Sequence, residues 1–153
     1  MLTEVSNSFY FWRERFFEDE QNRRQGEYLS WFNNTLLRNK CFFIDDKLHG
    51  EYMRWFESGQ LEQHCFYVEG KKHGEDKRWR ENGTLWEHGF YVNGKQHGEY
   101  MLLRRDDVMS NHCFYFEGKQ VSFKELPRPI TPEDRMYFVL KYDLPLLPVE
   151  STC

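Results

Sequence analysis

The sequence predicts an all-β fold, a single-layer antiparallel meander of repeated β-hairpins. Three observations support this: a repeat period of 24 residues, glycines at regular turn positions, and strand-length segments rich in aromatic residues between them. No segment between two turns is long enough for the helical crossover that a parallel sheet requires. We therefore expect an elongated array of about eight strands, with one more at each end.

Four blocks align without a gap, at residues 23–46, 47–70, 71–94 and 95–118. Every block has a Gly-Glu pair, preceded by histidine in the last three. The repeat-defining residues are Gly26, Glu27, His49, Gly50, Glu51, His73, Gly74, Glu75, His97, Gly98 and Glu99. A tryptophan recurs five residues after the glycine in the first three blocks, and an aromatic pair such as Phe66-Tyr67 recurs in all four.

Each block is expected to contain two strands and two turns. In the third block, residues 74–80 form the first strand and residues 84–92 the second. Asn82-Gly83 between them is typical of a tight hairpin, and Asn93-Gly94 turns the chain into the next block. Glycine accepts the positive φ angles of such turns without steric cost.

The block pattern, seen best in Gly70-Lys-Lys-His-Gly-Glu75 and Gly94-Lys-Gln-His-Gly-Glu99, resembles the MORN repeat. It looks most like the variant form in bacterial antitoxin-like proteins and large DNA viruses. The resemblance covers residues 23 to about 120. It implies a single-layer β array that makes protein contacts, self-associates and, in some members, contacts lipid; it does not imply catalysis. Gln25 in the first block and Leu103 in the fourth depart from the pattern, as expected of terminal repeats.

Strict alternation assigns side chains to the two faces of the sheet. It places Leu37, Leu61, Leu85 and Met109 on the face of Cys41, Cys65, Gly89 and Cys113. Both faces are partly apolar, whereas one face of a lone sheet should be polar, so we expect a partner or the chain ends to cover the excess. The candidate interaction surface consists of aromatic residues: Phe9, Tyr10, Phe11, Trp12, Tyr28, Trp31, Tyr52, Trp55, Trp79 and Tyr100. The alternative for these rings is packing within the array, which it needs in order to fold.

The two ends are expected to cap the array. Residues 1–22 form an aromatic N-terminal segment, a candidate degenerate first repeat. Residues 119–153 are predicted to form a final strand, a capping helix at about 132–143 and an extended tail. Thr131-Pro132-Glu133 at the helix start supplies an N-cap, a proline at the first helical position and an acidic first turn.

The histidines and cysteines do not indicate a metal site or disulfides. Equivalent residues one block apart sit two strands apart, about 9.5 Å. Ligands of one ion lie within about 2.3 Å of it, and bridged cysteines have Cα atoms within about 7 Å. We expect the His-Gly-Glu triplets to orient turns, the cysteines to be free thiols, and no cofactor to be bound.

Composition excludes several further classes. With 21 Lys+Arg against 25 Asp+Glu, the net charge of −4 disfavours nucleic acid and makes membrane lipid a weak candidate. No phosphate loop, nucleophile elbow or zinc-binding Cys pair occurs, so we expect no enzyme. Free cysteines and the lack of a signal peptide favour the cytoplasm, the host's if the source is viral.

The sequence therefore predicts a non-enzymatic protein-interaction or scaffolding module, expected to form a homodimer or another homo-oligomer. The alternatives are an antitoxin-like protein that binds a toxin, and a peripheral phospholipid-binding module.

Overall fold

A computed structural model describes residues 1–9, 12–33, 35–104 and 109–121. These residues form one antiparallel sheet whose strands pair in sequence order, apart from the two-residue strand Lys47–Leu48, which pairs only with the strand before it; the predicted all-β meander is confirmed. The predicted helix at 132–143 and the tail lie outside the described residues. The strands are β1 (Thr3–Phe9), β2 (Trp12–Glu18), β3 (Arg24–Phe32), β4 (Leu36–Ile44), β5 (Lys47–Leu48), β6 (Gly50–Trp55), β7 (Leu61–Val68), β8 (Lys71–Trp79), β9 (Leu85–Val92), β10 (Lys95–Leu103), β11 (Met109–Phe116) and β12 (Lys119–Val121).

The N-terminal segment forms two strands rather than one. β1 and β2 pair in continuous register from Thr3↔Glu18 to Phe9↔Trp12, and β2 continues the sheet onto β3. The polar run in β1 gave no strand signal, because serine and asparagine have low β propensity. At the other end β12 pairs with β11 over three residues, from Phe114↔Val121 to Phe116↔Lys119.

The turns between blocks contain two consecutive residues with positive φ, as in Asn93 (φ 51°) and Gly94 (φ 82°). This is the type I′ geometry that matches the twist of a hairpin. Gly94 N also donates to Lys72 O at 2.8 Å, and equivalent bonds join Gly70 to Leu48 and Gly118 to Gln96. Each of these turns is therefore bonded to the first strand of the block that it ends.

The turns inside the blocks differ from the tight hairpin predicted at Asn82-Gly83. Gly83 N donates to Arg80 O, Arg80 N donates to Thr84 O, and only Gly83 has a positive φ. The chain thus makes a wider turn that closes with a glycine in the left-handed region. Asn82 stays in the ordinary φ range and uses its Oδ1 to accept from Thr84 N at 3.1 Å.

The His-Gly-Glu triplets of the third and fourth blocks form bulges inside strands, not turns as expected, and the triplet of the second block lies where β5 ends and β6 begins. Between β7 and β8 the register runs from Cys65↔Asp76 to Tyr67↔Lys72, so residues 73–75 lie opposite Phe66 alone. Gly74 lies at the centre with φ +84°, which a residue with a Cβ rarely adopts. The β2–β3 and β9–β10 pairs have the same register shift.

A second bulge in each block corrects the face assignment of the leucines. Strict alternation places Leu61 with Cys65, but the register pairs Leu61 with Trp55 and Gln63 with Arg54, so Glu62 is an extra residue. The extra residue reverses the alternation beyond it. In the other blocks the same register holds for Leu37 with Trp31, Leu85 with Trp79, and Met109 with Leu103.

Candidate functional site

One face of the sheet, called here the tyrosine face, contains Tyr28, Tyr52, Asp76 and Tyr100 together with the cysteines. The tyrosines are half-buried, and their hydroxyls bond side chains of the preceding block or hairpin. Tyr28 donates to Glu14 at 2.9 Å and Tyr100 to Glu87 at 3.1 Å. Burial and the bond to Glu14 raise the pKa of Tyr28 to about 12, so the hydroxyl remains a donor. These tyrosines therefore join neighbouring blocks.

The third block replaces the tyrosine by a buried carboxylate. Asp76 is 2% exposed, forms an ion pair with Lys72 and accepts from Gln63 Nε2 at 2.8 Å. The Lys72 ammonium also lies 5.0 Å from the ring centroid of Tyr91. A buried charge is tolerated when it is paired and hydrogen-bonded, as it is here.

The cysteines of the tyrosine face are buried free thiols. Burial raises the pKa of both Cys41 and Cys65 to about 12. Because the thiolate is the reactive form, these side chains act as small apolar residues at neutral pH.

The opposite face, called here the histidine face, carries a repeated carboxylate–imidazole pair. Its members lie 13 residues apart: Glu51 with His64 at 2.9 Å, Glu75 with His88 at 2.7 Å, and Glu99 with His112. Each histidine ring also packs against the phenylalanine two residues later, as His64 does against Phe66 at 5.0 Å. The glutamate of each His-Gly-Glu triplet thus binds across to the next strand.

The other histidines, which begin the triplets, are placed differently. His97 packs against Phe116 at 5.0 Å between ring centroids, His49 is half-buried and His73 is exposed. Within the described part of the chain, no group of three or more His, Cys, Asp or Glu side chains is placed to hold a metal ion.

The histidine face also has a row of exposed apolar side chains, which we call the apolar stripe. Its members are 36% to 45% exposed and lie on β4, β7, β9 and β11 near the inter-block turns: Phe42, Ile44, Phe66, Val68, Val92 and Phe116. In β4 the alternation is complete, since Cys41 and Phe43 are covered while Phe42 and Ile44 are open to solvent.

The predicted aromatic surface lies mainly elsewhere. Trp31, Trp55 and Trp79 are half-buried, as are the tyrosines, whereas the structure does not describe the side chains of Phe9, Tyr10, Phe11 and Trp12. A role for these residues in binding stays a prediction. Ring size does not identify the apolar stripe, because three of its six members are aliphatic. Its signal was the apolar residue that follows two positions after the first ring of each aromatic pair.

Comparison of the chain with models of known protein families gives no match, and comparison with curated proteins finds no similar sequence. Among the described residues, no helix has the length and apolarity that crossing a membrane would require.

Proposed function

We propose that this protein is a non-enzymatic interaction module that self-associates by packing the apolar stripe against the same stripe of a second copy. The observation that carries the proposal is the stripe itself. Isolated exposed apolar residues are common in soluble proteins, but a row that recurs in all four blocks indicates an interaction site. Exposed lysines border the row, because each is the cross-strand partner of a member: Ile44 with Lys47, Val68 with Lys71, Val92 with Lys95 and Phe116 with Lys119.

The apolar stripe lies on a sheet that has no second layer among the described residues. A sheet usually buries one face against a second layer, and the described strands form a single sheet. Its buried hydrophobic residues are few and include three cysteines: Phe16, Cys41, Cys65, Met101, Cys113 and Phe114. Two such faces pack at about 10 Å and exclude water from both stripes. Burying the exposed part of each ring contributes about 1 kcal/mol.

The repeated chemistry also favours a structural role for the histidine face. The same Glu–His pair occurs in three successive blocks, and in each the glutamate Oε1 lies within hydrogen-bond distance of the histidine Nε2. A catalytic site depends on one specific constellation, whereas repeated identical pairs hold repeated strands together. The resemblance to MORN repeats supports the same proposal, because it implies protein contacts without catalysis.

Light scattering after size exclusion tests self-association. We expect a mass of twice 18.9 kDa that persists on dilution through the micromolar range, with reductant present so that no disulfide contributes. A monomer at every concentration would overturn the proposal.

Paired variants test the surface. Phe42→Lys with Val68→Lys places two charges on the apolar stripe and should give a folded monomer, because each charge would have to be desolvated in the dimer. The matched control, Thr35→Lys with Ser58→Lys, adds the same charges at exposed turn positions and should leave the dimer intact. A dimer that survives the first pair would rule out the stripe as the interface.

A further inference from the structure

A groove of about 370 Å³ lies on the tyrosine face, opposite the apolar stripe. On this face a row of cross-strand partners runs over four strands, with Arg54 on β6, Gln63 on β7, Arg78 on β8 and Glu87 on β9. Of these, the first three line the groove, and Phe56 and Arg80 extend it beyond the strand ends.

The bulges inside the blocks shape the groove. Glu62 is the extra residue in β7, and Trp86 is the extra residue in β9, since Leu85 pairs with Trp79 and Glu87 with Arg78. A bulge re-aims the side chain of the inserted residue. Both Glu62 and Trp86 line the groove, so the bulge brings a tryptophan to the side of the sheet that carries the arginines.

The charged side chains in and beside the groove have partners of opposite charge among the described residues, with a single exception. Two guanidinium nitrogens of Arg54 donate to the Glu62 carboxylate, Nε to Oε2 at 2.6 Å. A guanidinium nitrogen of Arg78 lies 3.1 Å from Oε2 of Glu87. The Asp76 carboxylate is engaged by Lys72.

Arg80 is the exception. Its guanidinium bonds the carbonyl of Leu103 and lies 3.5 Å from the carbonyl of Leu85 and from Thr84 Oγ1, all neutral oxygens. Arg80 forms no ion pair with any residue of the described ranges. One positive charge in the groove is therefore unmatched by any carboxylate in the described part of the chain.

We propose that this groove binds a segment of a partner protein in which a carboxylate stands beside an aromatic side chain. A carboxylate would neutralise the guanidinium of Arg80, and it can accept two parallel hydrogen bonds from arginine. Trp79, Trp86 and Phe56 supply rings against which an aromatic side chain can pack. Tryptophan and arginine are the residue types that dominate the energetic centres of protein interfaces.

The groove is poorly suited to a polyanion. Glu62 lines it, Glu87 lies beside it, and the chain carries a net charge of −4, so each further phosphate would be repelled. The volume falls at the lower end of ordinary ligand sites, which run from about 300 to 1,000 Å³. The groove thus fits a short peptide segment carrying one or two charges.

This second surface goes beyond self-association and is independent of it. The apolar stripe and the groove lie on opposite faces, so a variant of one leaves the other intact. Loss of peptide binding with an unchanged dimer would implicate the groove, and the reverse result would implicate the stripe.

Calorimetric titration of the full chain with capped synthetic peptides tests the groove. The acidic probe is Gly-Glu-Tyr-Glu-Gly, the neutral control is Gly-Gln-Tyr-Gln-Gly, and adenosine monophosphate reports on phosphate ligands. We expect saturable binding of the acidic peptide at least tenfold tighter than of either comparison ligand. No saturation at millimolar peptide, equal binding of the neutral peptide, or tighter binding of the nucleotide would each overturn the proposal.

Variants locate the site. Arg80→Gln should weaken binding of the acidic peptide about tenfold or more, because it removes the unmatched charge. Arg38→Gln removes an exposed arginine of the first block, outside the groove, and should bind normally. Trp86→Leu keeps every charge and should weaken acidic and neutral peptides alike, and it provides a second route if Arg80→Gln fails to fold. Normal acidic-peptide binding by a folded Arg80→Gln or Trp86→Leu protein would place the site elsewhere.

Discussion

The Nε2 atom of His88 lies 2.7 Å from Oε1 of Glu75, and this pair is the most deeply buried of the three Glu–His pairs on the histidine face. The imidazole of His88 is 1% exposed, compared with 24% for His64 in the preceding block. The same chemical pair is thus repeated at different depths, which allows its contribution to be measured by comparing blocks.

Glu75→Gln should destabilise the protein by about 1–3 kcal/mol, because the buried imidazole of His88 and the ammonium of Lys77 both lose a charged acceptor. The matched variant is Glu51→Gln, whose partner His64 is reached by water and which should cost less than about 1 kcal/mol. Urea unfolding followed by circular dichroism measures both. Equal losses for the two variants would show that burial does not set the value of the pair.

The stability contributed by Glu75 should depend on pH. Burial alone would raise the pKa of its carboxyl, but hydrogen bonds from His88 and Lys77 lower the pKa below its ordinary value of 4.5. The folded state therefore binds fewer protons than the unfolded state, and the contribution is present above pH 4.5 and is lost as the pH falls through the folded pKa.

The difference in urea midpoint between the wild type and Glu75→Gln should accordingly be largest near neutral pH and shrink below pH 4.5. A difference that stays constant from pH 7 to about pH 3 would contradict the lowered pKa.

The buried cysteines should resist thiol reagents in the native protein. The pKa values of Cys41 and Cys65 are raised to about 12, so these thiols carry little reactive thiolate near neutral pH. Cys113 is 1% exposed, so a reagent cannot reach its sulfur in the folded protein. Iodoacetamide labelling with peptide mass spectrometry should find all three unmodified at pH 8 and fully modified in urea. Rapid native labelling of Cys65 would show that the strands around it open readily.

Gly89→Ala should destabilise the protein by a steric contact rather than by backbone strain. An added Cβ would lie 2.8 Å from Cδ2 of Tyr100, whose ring covers Gly89. We expect a loss of about 1–3 kcal/mol in urea unfolding. In a Tyr100→Ala background the same substitution should cost less than about 0.5 kcal/mol, because the contact is gone. A cost that is unchanged in that background would point to the backbone instead.

The repeat period was enough to predict the architecture, because in a meander the strands are set by turn positions and each pairs with its neighbours. The face of the sheet on which each side chain lies is harder to predict than the order of the strands. Leu61 and its equivalents were assigned to the wrong face since a bulge residue such as Glu62 has no distinctive signature in sequence. The His-Gly-Glu triplet was read as part of a turn because glycine with positive φ occurs in turns and bulges alike.

The candidate surfaces were less predictable than the fold. Phe42 and Tyr28 are both aromatic residues in strands, and only the packing shows that the first is exposed and the second half-buried. Trp86 is brought to the groove by a bulge, so its role follows from register. The unmatched charge on Arg80 likewise depends on which carboxylates lie within reach, and a list of charges along the chain does not contain that information.

The sequential pairing of the strands has a consequence for how the protein is made. Along the described chain, every strand from β2 onward pairs with the strand made just before it, except that β6 pairs with β4 instead of the two-residue strand β5. Few residues separate the partners, so the entropy lost in closing each loop is small and pairing is fast for an all-β protein. The sheet can therefore grow by one hairpin at a time during translation, and within the described strands the edges open to wrong partners are at each moment β1 and the newest strand.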